Sequence, residues 1–387
     1  MSTRLNIFLA LACSLILANL YYTQTIIADI GATLLLDESV RGIIVTLAQL
    51  GYVTGILLLV PLGDKVENKK LITVLVILLA VALLVCGLAA SKTVFLPGIF
   101  LVGVCCCAVQ TIVPYGASLA EPGKQGRVVG IIASGAILGI VMSRPAASFM
   151  TGLFSWRFIF LFSSGCMLVV GLIFSKTLPR KQSSTESQTY GEILSSLGKL
   201  LITRPGLKKR ALPMALVFSA FALFWAAAPL ALREELFFSQ QKIALLALIS
   251  LAAPICTMAA GRLADRGLGF LTATTGITSA AASFLLTPLW GVSAGLFVLS
   301  ALMLDCGTHS SGLVNQQAVM TLDNQARSRL NALYMSIMFC GGAAGSSLGP
   351  WLYSHYGWQV TSLTGFGIVS AALIIYLLSH FRSSKSY

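Results

Sequence analysis

The sequence predicts an all-α membrane protein with twelve transmembrane helices in two pseudo-symmetric six-helix bundles. Composition, the rhythm of apolar runs and an internal repeat each point there. Of the 387 residues 57% are hydrophobic and only 10% charged, where a soluble domain carries roughly 25% charged residues. Mean hydropathy is +0.88. One crossing takes about 20 apolar residues, so twelve consume roughly 240 and leave short connections with no room for a sizeable soluble domain. The net charge of +13 is spread along those connections. It reads as an orientation signal and an attraction to anionic lipid, and nucleic acid is not an expected partner.

Apolar runs bounded by charged or Gly/Pro-rich breaks fall near 5–28, 42–62, 71–90, 94–119, 128–150 and 158–175. A second six fall near 212–232, 243–262, 268–287, 291–317, 331–353 and 359–380. The organisation expected is a bundle over 1–176, a central loop over 177–210 and a bundle over 211–387. Ser183, Ser184, Thr185, Ser187 and Gln188 give that loop the composition of a flexible linker. The first run, after Arg4, continues past Cys13 to Ile27 and is long enough to span, so it is read as a retained helix rather than a cleaved signal. All nine cysteines fall in apolar runs, where Cys behaves as a small hydrophobe. Cys105, Cys106 and Cys107 lack metal-ligand spacing, and neither metal nor cofactor is expected.

Assigning alternate connections to opposite sides divides the basic residues unevenly. Twenty of the 26 Lys and Arg lie on the side of both termini and the central loop, and five on the other, with Arg144 inside a span. The positive-inside rule makes the first side cytoplasmic.

The halves repeat. Asp64 follows the second span and Asp265 the eighth, 201 residues on; Arg127 and Arg329 are 202 apart, as are Trp156 and Trp358. Parallel six-helix repeats describe a transporter with its site near the midplane.

At this point the residues resemble the major facilitator superfamily. Its signature between the second and third helices reads roughly G-x-L-A-D-R-x-G-R-K. Gly261-Arg262-Leu263-Ala264-Asp265-Arg266 matches the first six positions. The first copy, from Val60 to Lys69, keeps Asp64 and Lys65 but not the flanking glycines. The resemblance implies that Asp64 faces the start of the eleventh span around Ser328-Arg329-Leu330. It places Asp265 against the start of the fifth, around Gln125-Gly126-Arg127. An anion is stabilised at a helix N-terminus, so Asp64, Lys65, Arg127, Asp265, Arg266 and Arg329 are expected to form gating contacts. In the fifth span, where antiporters of the superfamily carry G-x-x-x-G-P-x-x-G-G, Gly135 and Gly139 are followed by Ser143-Arg144-Pro145, without the Gly-Pro pair. In the eleventh, Gly341, Gly345 and Gly349 make a face for close helix packing.

Formal charges inside spans are costly unless paired, neutralised or wetted. Asp305 lies near the middle of the tenth span and Arg144 in the outer half of the fifth. Asp305-Cys306-Gly307 and Asn315-Gln316 match patterns of a related branch. Asp305 is expected to carry a coupling proton and Arg144 to tune it, a permanent structural ion pair being the alternative. His309, one turn after Asp305, could extend a proton relay or merely line a cavity. The resemblance places the cavity among the first, fourth, seventh and tenth spans. That nominates Asn19, Tyr22, Thr23, Gln110, Phe218, Phe221, Trp225, Asn315 and Gln316 as its lining. An aromatic pocket with few fixed charges suits amphipathic or apolar organic molecules.

The expectation is a monomeric secondary transporter of a bacterial inner membrane that exports small organic compounds against protons. Uptake of a sugar or other metabolite by symport or facilitated diffusion is one alternative; a non-transporting membrane receptor is another. No phosphate loop of the G-x-x-x-x-G-K-[ST] form is present. Asp305 with His309 does not make an enzyme's catalytic constellation.

Overall fold

The computed structural model describes residues 3–36, 43–180, 189–238, 247–290 and 293–384, and within them it consists of helices joined by short turns, without a strand. In chain order the helices are α1 (Thr3–Thr33), α2 (Ile43–Leu58), α3 (Asn68–Leu88), α4 (Lys92–Cys106), α5 (Ala108–Leu119), α6 (Gln125–Leu153) and α7 (Trp156–Thr177). They continue with α8 (Tyr190–Thr203), α9 (Pro205–Glu234), α10 (Ala253–Leu263), α11 (Gly269–Trp290), α12 (Ala294–Met320) and α13 (Arg327–Ser384). Ten apolar segments among the described residues are long enough to cross a bilayer. Two of them, Leu248–Leu289 and Arg327–His380, run to 42 and 54 residues, about twice what one crossing needs. Each is broken by a left-handed glycine, Gly267 (φ 80°) and Gly357 (φ 72°), a conformation that costs a residue with a Cβ. Counting each as two crossings gives the twelve expected.

The chain divides into two compact units. Unit one comprises Met1–Leu119, Gly135–Lys199 and Asp323–Ala332; unit two comprises Ala120–Ser134, Leu200–Leu322 and Leu333–Tyr387. Helices α6 and α13 thus each contribute their first turns to one unit and the remainder to the other. In unit one α3 packs on α7 and α2 on α4; in unit two α11 packs on α12, which also meets α9 and α10.

The repeat extends further than its three landmark pairs. Buried Trp156 packs edge-on to Phe95 at 5.5 Å, and buried Trp358 lies against Phe297 at 4.6 Å. The two phenylalanines are again 202 apart. Each indole N–H, which needs a partner once buried, donates to a threonine hydroxyl of its own unit: Trp156 to Thr33 at 3.0 Å and Trp358 to Thr287 at 2.8 Å. Ser91 and Ser293, also 202 apart, stand at the N-caps of α4 and α12.

The glycine face on α13 has a specific counterpart. A Cβ added at Gly341, Gly345 or Gly349 would overlap the carbonyl oxygen of Ala215, Ser219 or Leu223, three successive turns of α9. The two helices approach backbone to backbone, as small residues allow. Gly345→Leu is therefore expected to destabilise the protein by about 1–3 kcal/mol, the usual cost of overpacking. Thermal unfolding of the purified variant in detergent would show it, and an unchanged midpoint would rule out the close contact.

The central segment differs from the linker expected. Residues 181–188 lie outside the described part, but 190–203 form α8. Apolar residues at Ile193, Leu197, Leu200 and Leu201 give it a helical period, and Ile193 and Leu200 are buried. It opens on a capping box: the Thr189 amide donates to Glu192 Oε2 at 2.8 Å, and the Glu192 amide to Thr189 Oγ1 at 3.3 Å. The Tyr190 hydroxyl donates to the Leu58 carbonyl at 2.7 Å, tying α8 to the end of α2.

Candidate functional site

The two signature aspartates do the same thing in the two units. The Asp64 carboxylate accepts from the amides of Ser328 (2.9 Å) and Arg329 (3.1 Å) at the start of α13, within unit one. Asp265 accepts from the amides of Gly126 and Arg127 at the start of α6, both at 2.7 Å, within unit two. The first N–H groups of a helix have no partner inside it, and a carboxylate that takes two of them also meets the positive end of the helix dipole. The signature glycine has a local reason as well. A Cβ at Gly261 would overlap the Gly126 carbonyl, so α10 and α6 can approach closely enough for Asp265 to reach.

Beyond the backbone the copies diverge. Arg329 is 5% exposed and returns its side chain to Asp64, Nε to Oδ2 at 2.9 Å. Its Nη1 donates to the Ser196 hydroxyl of α8 at 2.8 Å. Arg127, its repeat partner, has an exposed side chain, and Arg266 is exposed too. Asp265 instead accepts a longer bond of 3.4 Å from Gln317 Nε2. Lys65 is half-buried beside Asp64 in the chain.

Gln110, nominated for the cavity lining, belongs to a buried polar link. Pro114, one turn later in α5, has no N–H, so the Gln110 carbonyl loses its helical donor. Asn331 of α13 supplies one: its Nδ2 donates to the Gln110 carbonyl at 2.9 Å and lies 3.3 Å from Gln110 Oε1. Gln110 Nε2 in turn donates to the Tyr52 hydroxyl of α2 at 2.8 Å. Asn331 and Tyr52 were not foreseen, yet the Gln110–Pro114 spacing announces an orphan carbonyl that some other segment must satisfy. Asn331→Leu leaves it buried and unpaired. We expect a loss of about 1–3 kcal/mol, read as a lower unfolding midpoint, whereas exposed Asn324→Leu should have almost none.

The other lining residues of unit one are buried: Asn19 and Thr23 are fully so and Tyr22 nearly. Asn19 Nδ2 returns to the Leu15 carbonyl of its own helix at 2.8 Å, and its Oδ1 and the Thr23 hydroxyl are buried without hydrogen-bond partners among the described residues. Arg144 is exposed and lies near Tyr21.

In unit two Asp305 is 0% exposed. Trp225 Nε1 donates to its Oδ1 at 2.8 Å. Among the described residues its Oδ2 has no hydrogen bond of ordinary geometry, although the Ser250 hydroxyl is close by. Among the described residues of unit two no cation is paired with it. Phe218, Phe221 and Trp225 share one half-buried face of α9, while Phe224, whose ring meets Trp225 edge-on at 5.7 Å, is buried. Phe218 stacks on Phe221 at 5.5 Å, and Phe221 meets the His309 ring edge-on at 5.5 Å. Asn315 and Gln316 are buried; Asn315 Oδ1 accepts from Arg210 at 3.1 Å and Gln316 Nε2 contacts Met335 Sδ at 3.6 Å. Asp305, Trp225, Phe221 and His309 are thus brought together on facing sides of α9 and α12.

Comparison with known proteins agrees with this architecture. The family model "Major Facilitator Superfamily" matches residues 7–326 and 214–386. A protein named an uncharacterized transporter, YgaY of Escherichia coli O157:H7, is 33% identical over 377 residues, covering 97% of this chain and 95% of its own. Among solved structures, the human organic anion transporter MFSD10 (TETRAN) superposes with a TM-score of 0.73 at 16% identity, over 97% of this chain and 100% of that one. The proton:xylose symporter XylE superposes with a TM-score of 0.66 at 15% identity, over 95% and 94%. With bacterial relatives, two capped signature aspartates and twelve apolar crossings, the chain belongs to the major facilitator superfamily and is a multi-pass membrane transporter, not an enzyme.

Proposed function

We propose that this protein is a proton-coupled exporter of small organic or amphipathic compounds in a bacterial inner membrane, with both termini cytoplasmic. It acts as a monomer, and the halves 1–176 and 211–387 rock about a midplane site. The observation that carries the reading is Asp305: a fully buried carboxylate in the middle of a span, with an indole donor and, among the described residues, no paired cation. A charge in that position is costly unless it is neutralised or wetted. As access alternates between dry and water-filled surroundings, its preferred protonation state changes, which is what a proton carrier requires. The half-buried stripe of Phe218, Phe221 and Trp225 beside it offers apolar surface to an organic substrate. The caps made by Asp64 and Asp265 serve as the latch of one access state, made and broken in each cycle. The names of two fold relatives, an organic anion transporter and a proton:xylose symporter, are compatible with proton-linked movement of small organic molecules.

The test uses everted vesicles energised to an inside-acid gradient and screened with dyes, antibiotics and sugars. A compound that releases the gradient with this protein, but not with Asp305→Asn, supports the reading and gives a substrate. Silence across the panel, with the protein shown to be folded and inserted, would count against proton-coupled export.

A further inference from the structure

Unit two contains a cavity of about 230 Å³ apart from the aromatic stripe, at the basic end of the spans. Arg210 of α9, Phe270 of α11, Gln317 and Thr321 of α12, and Tyr376 and His380 of α13 contribute to its wall. Arg210 is half-buried, and its partners are neutral oxygens, Asn315 Oδ1 at 3.1 Å and the Tyr376 hydroxyl. No carboxylate is paired with it among the described residues. The His380 ring lies face to face on Phe270 at 3.8 Å. A guanidinium partly withdrawn from water, on the wall of a cavity and without an anion, is poorly compensated. Its fork of donors matches a phosphate, and the hydroxyl of Tyr376 and a ring N–H of His380 add donors of the same kind.

The surroundings indicate where that phosphate comes from. Leu271 follows Phe270, Ile374 and Ile375 precede Tyr376, and Leu378 precedes His380; all four are exposed apolar residues. Lys208 and Lys209, just before Arg210, are exposed cations. A basic cavity between helices at the end of the spans, flanked by apolar surface, has the make-up of an anionic headgroup site. We propose that the cavity binds the phosphate of an anionic phospholipid, with Arg210 and His380 as the principal donors and the acyl chains lying along the flanking aliphatic residues.

The experiment titrates the purified full-length protein in detergent with phosphatidylglycerol, phosphatidylcholine or inorganic phosphate and follows the thermal midpoint. Phosphatidylglycerol should raise the midpoint saturably and phosphatidylcholine should not. Arg210→Gln should weaken the apparent affinity for phosphatidylglycerol about tenfold, the scale of one lost charged hydrogen-bond donor. His380→Ala should weaken it in the same direction by less. Because the His380 ring is exposed, that variant decides the matter alone if Arg210→Gln does not fold. A phosphatidylglycerol response unchanged in the folded variants, or an equal response to phosphatidylcholine, would overturn the proposal. Inorganic phosphate reproducing the whole response would overturn the lipid assignment and leave the cavity as a site for the free anion.

Discussion

Asp64→Ala is expected to destabilise the protein by roughly 3–5 kcal/mol, the cost of leaving one member of a buried ion pair without the other. Asp265→Ala should cost only about 1–2 kcal/mol, the range of a lost helix cap. Both aspartates accept two backbone N–H bonds at a helix start, so that part of the loss is common to the two. The difference lies in what is left behind. Arg329 is 5% exposed, and without Asp64 its guanidinium keeps only Ser196 and the Gln325 carbonyl as partners among the described residues. Without Asp265, the amides of Gly126 and Arg127 remain near an exposed side chain, where water can reach them. Thermal unfolding of the two variants in one detergent compares them directly. Arg329→Ala in the Asp64→Ala background should recover part of the loss, because it removes the stranded charge. Equal losses for the two single variants, or no recovery in the double, would show that the ion pair contributes little. On the proposed latch reading the same asymmetry has a functional side: one of the two caps is held firmly and the other releases at lower cost.

That asymmetry was not legible in the sequence, and the reason is physical. The offsets of 201 and 202 place Asp64 with Asp265 and Arg127 with Arg329 as equivalents, and the backbone contacts honour the equivalence. Side-chain direction depends on packing outside the repeat. Arg329 is enclosed with the help of Ser196 of α8, which lies between the two runs of six spans. The helix itself could have been read. Thr189 and Glu192 stand at capping-box spacing before an apolar period, but Ser and Thr content upstream dominated the reading of the whole segment as a linker. The crossings were legible because a bilayer demands long apolar runs and tolerates few charges. Gln110 shows the opposite limit: its polarity marked it as a lining residue, whereas the proline four positions later had already committed its carbonyl to Asn331. Polarity inside a span states that a group needs a partner, not whether that partner is substrate or protein.

Asp305 is where that ambiguity matters most, and Asp305→Asn is expected to reduce gradient-driven transport to background without unfolding the protein. The amide is nearly the same size and its oxygen can still accept from Trp225, so the bond at 2.8 Å survives the change. What it cannot do is take up and release a proton. Exchange of substrate across the membrane with no net proton movement should therefore persist, and the variant should separate counterflow, which continues, from accumulation, which stops. Asp305→Glu retains a titratable group one methylene further along and should keep part of the coupled rate. Trp225→Phe, which keeps the apolar ring but removes the donor to Oδ1, should change the pH at which coupled transport is half-maximal more than it changes counterflow. A purely structural role for Asp305 predicts otherwise: Asn would be tolerated in both assays, and Glu, too long for a 0% exposed site, would harm both equally. Should Asp305→Asn drive transport at the original rate, proton carriage must be sought elsewhere in unit two, first at His309 one turn along the same helix.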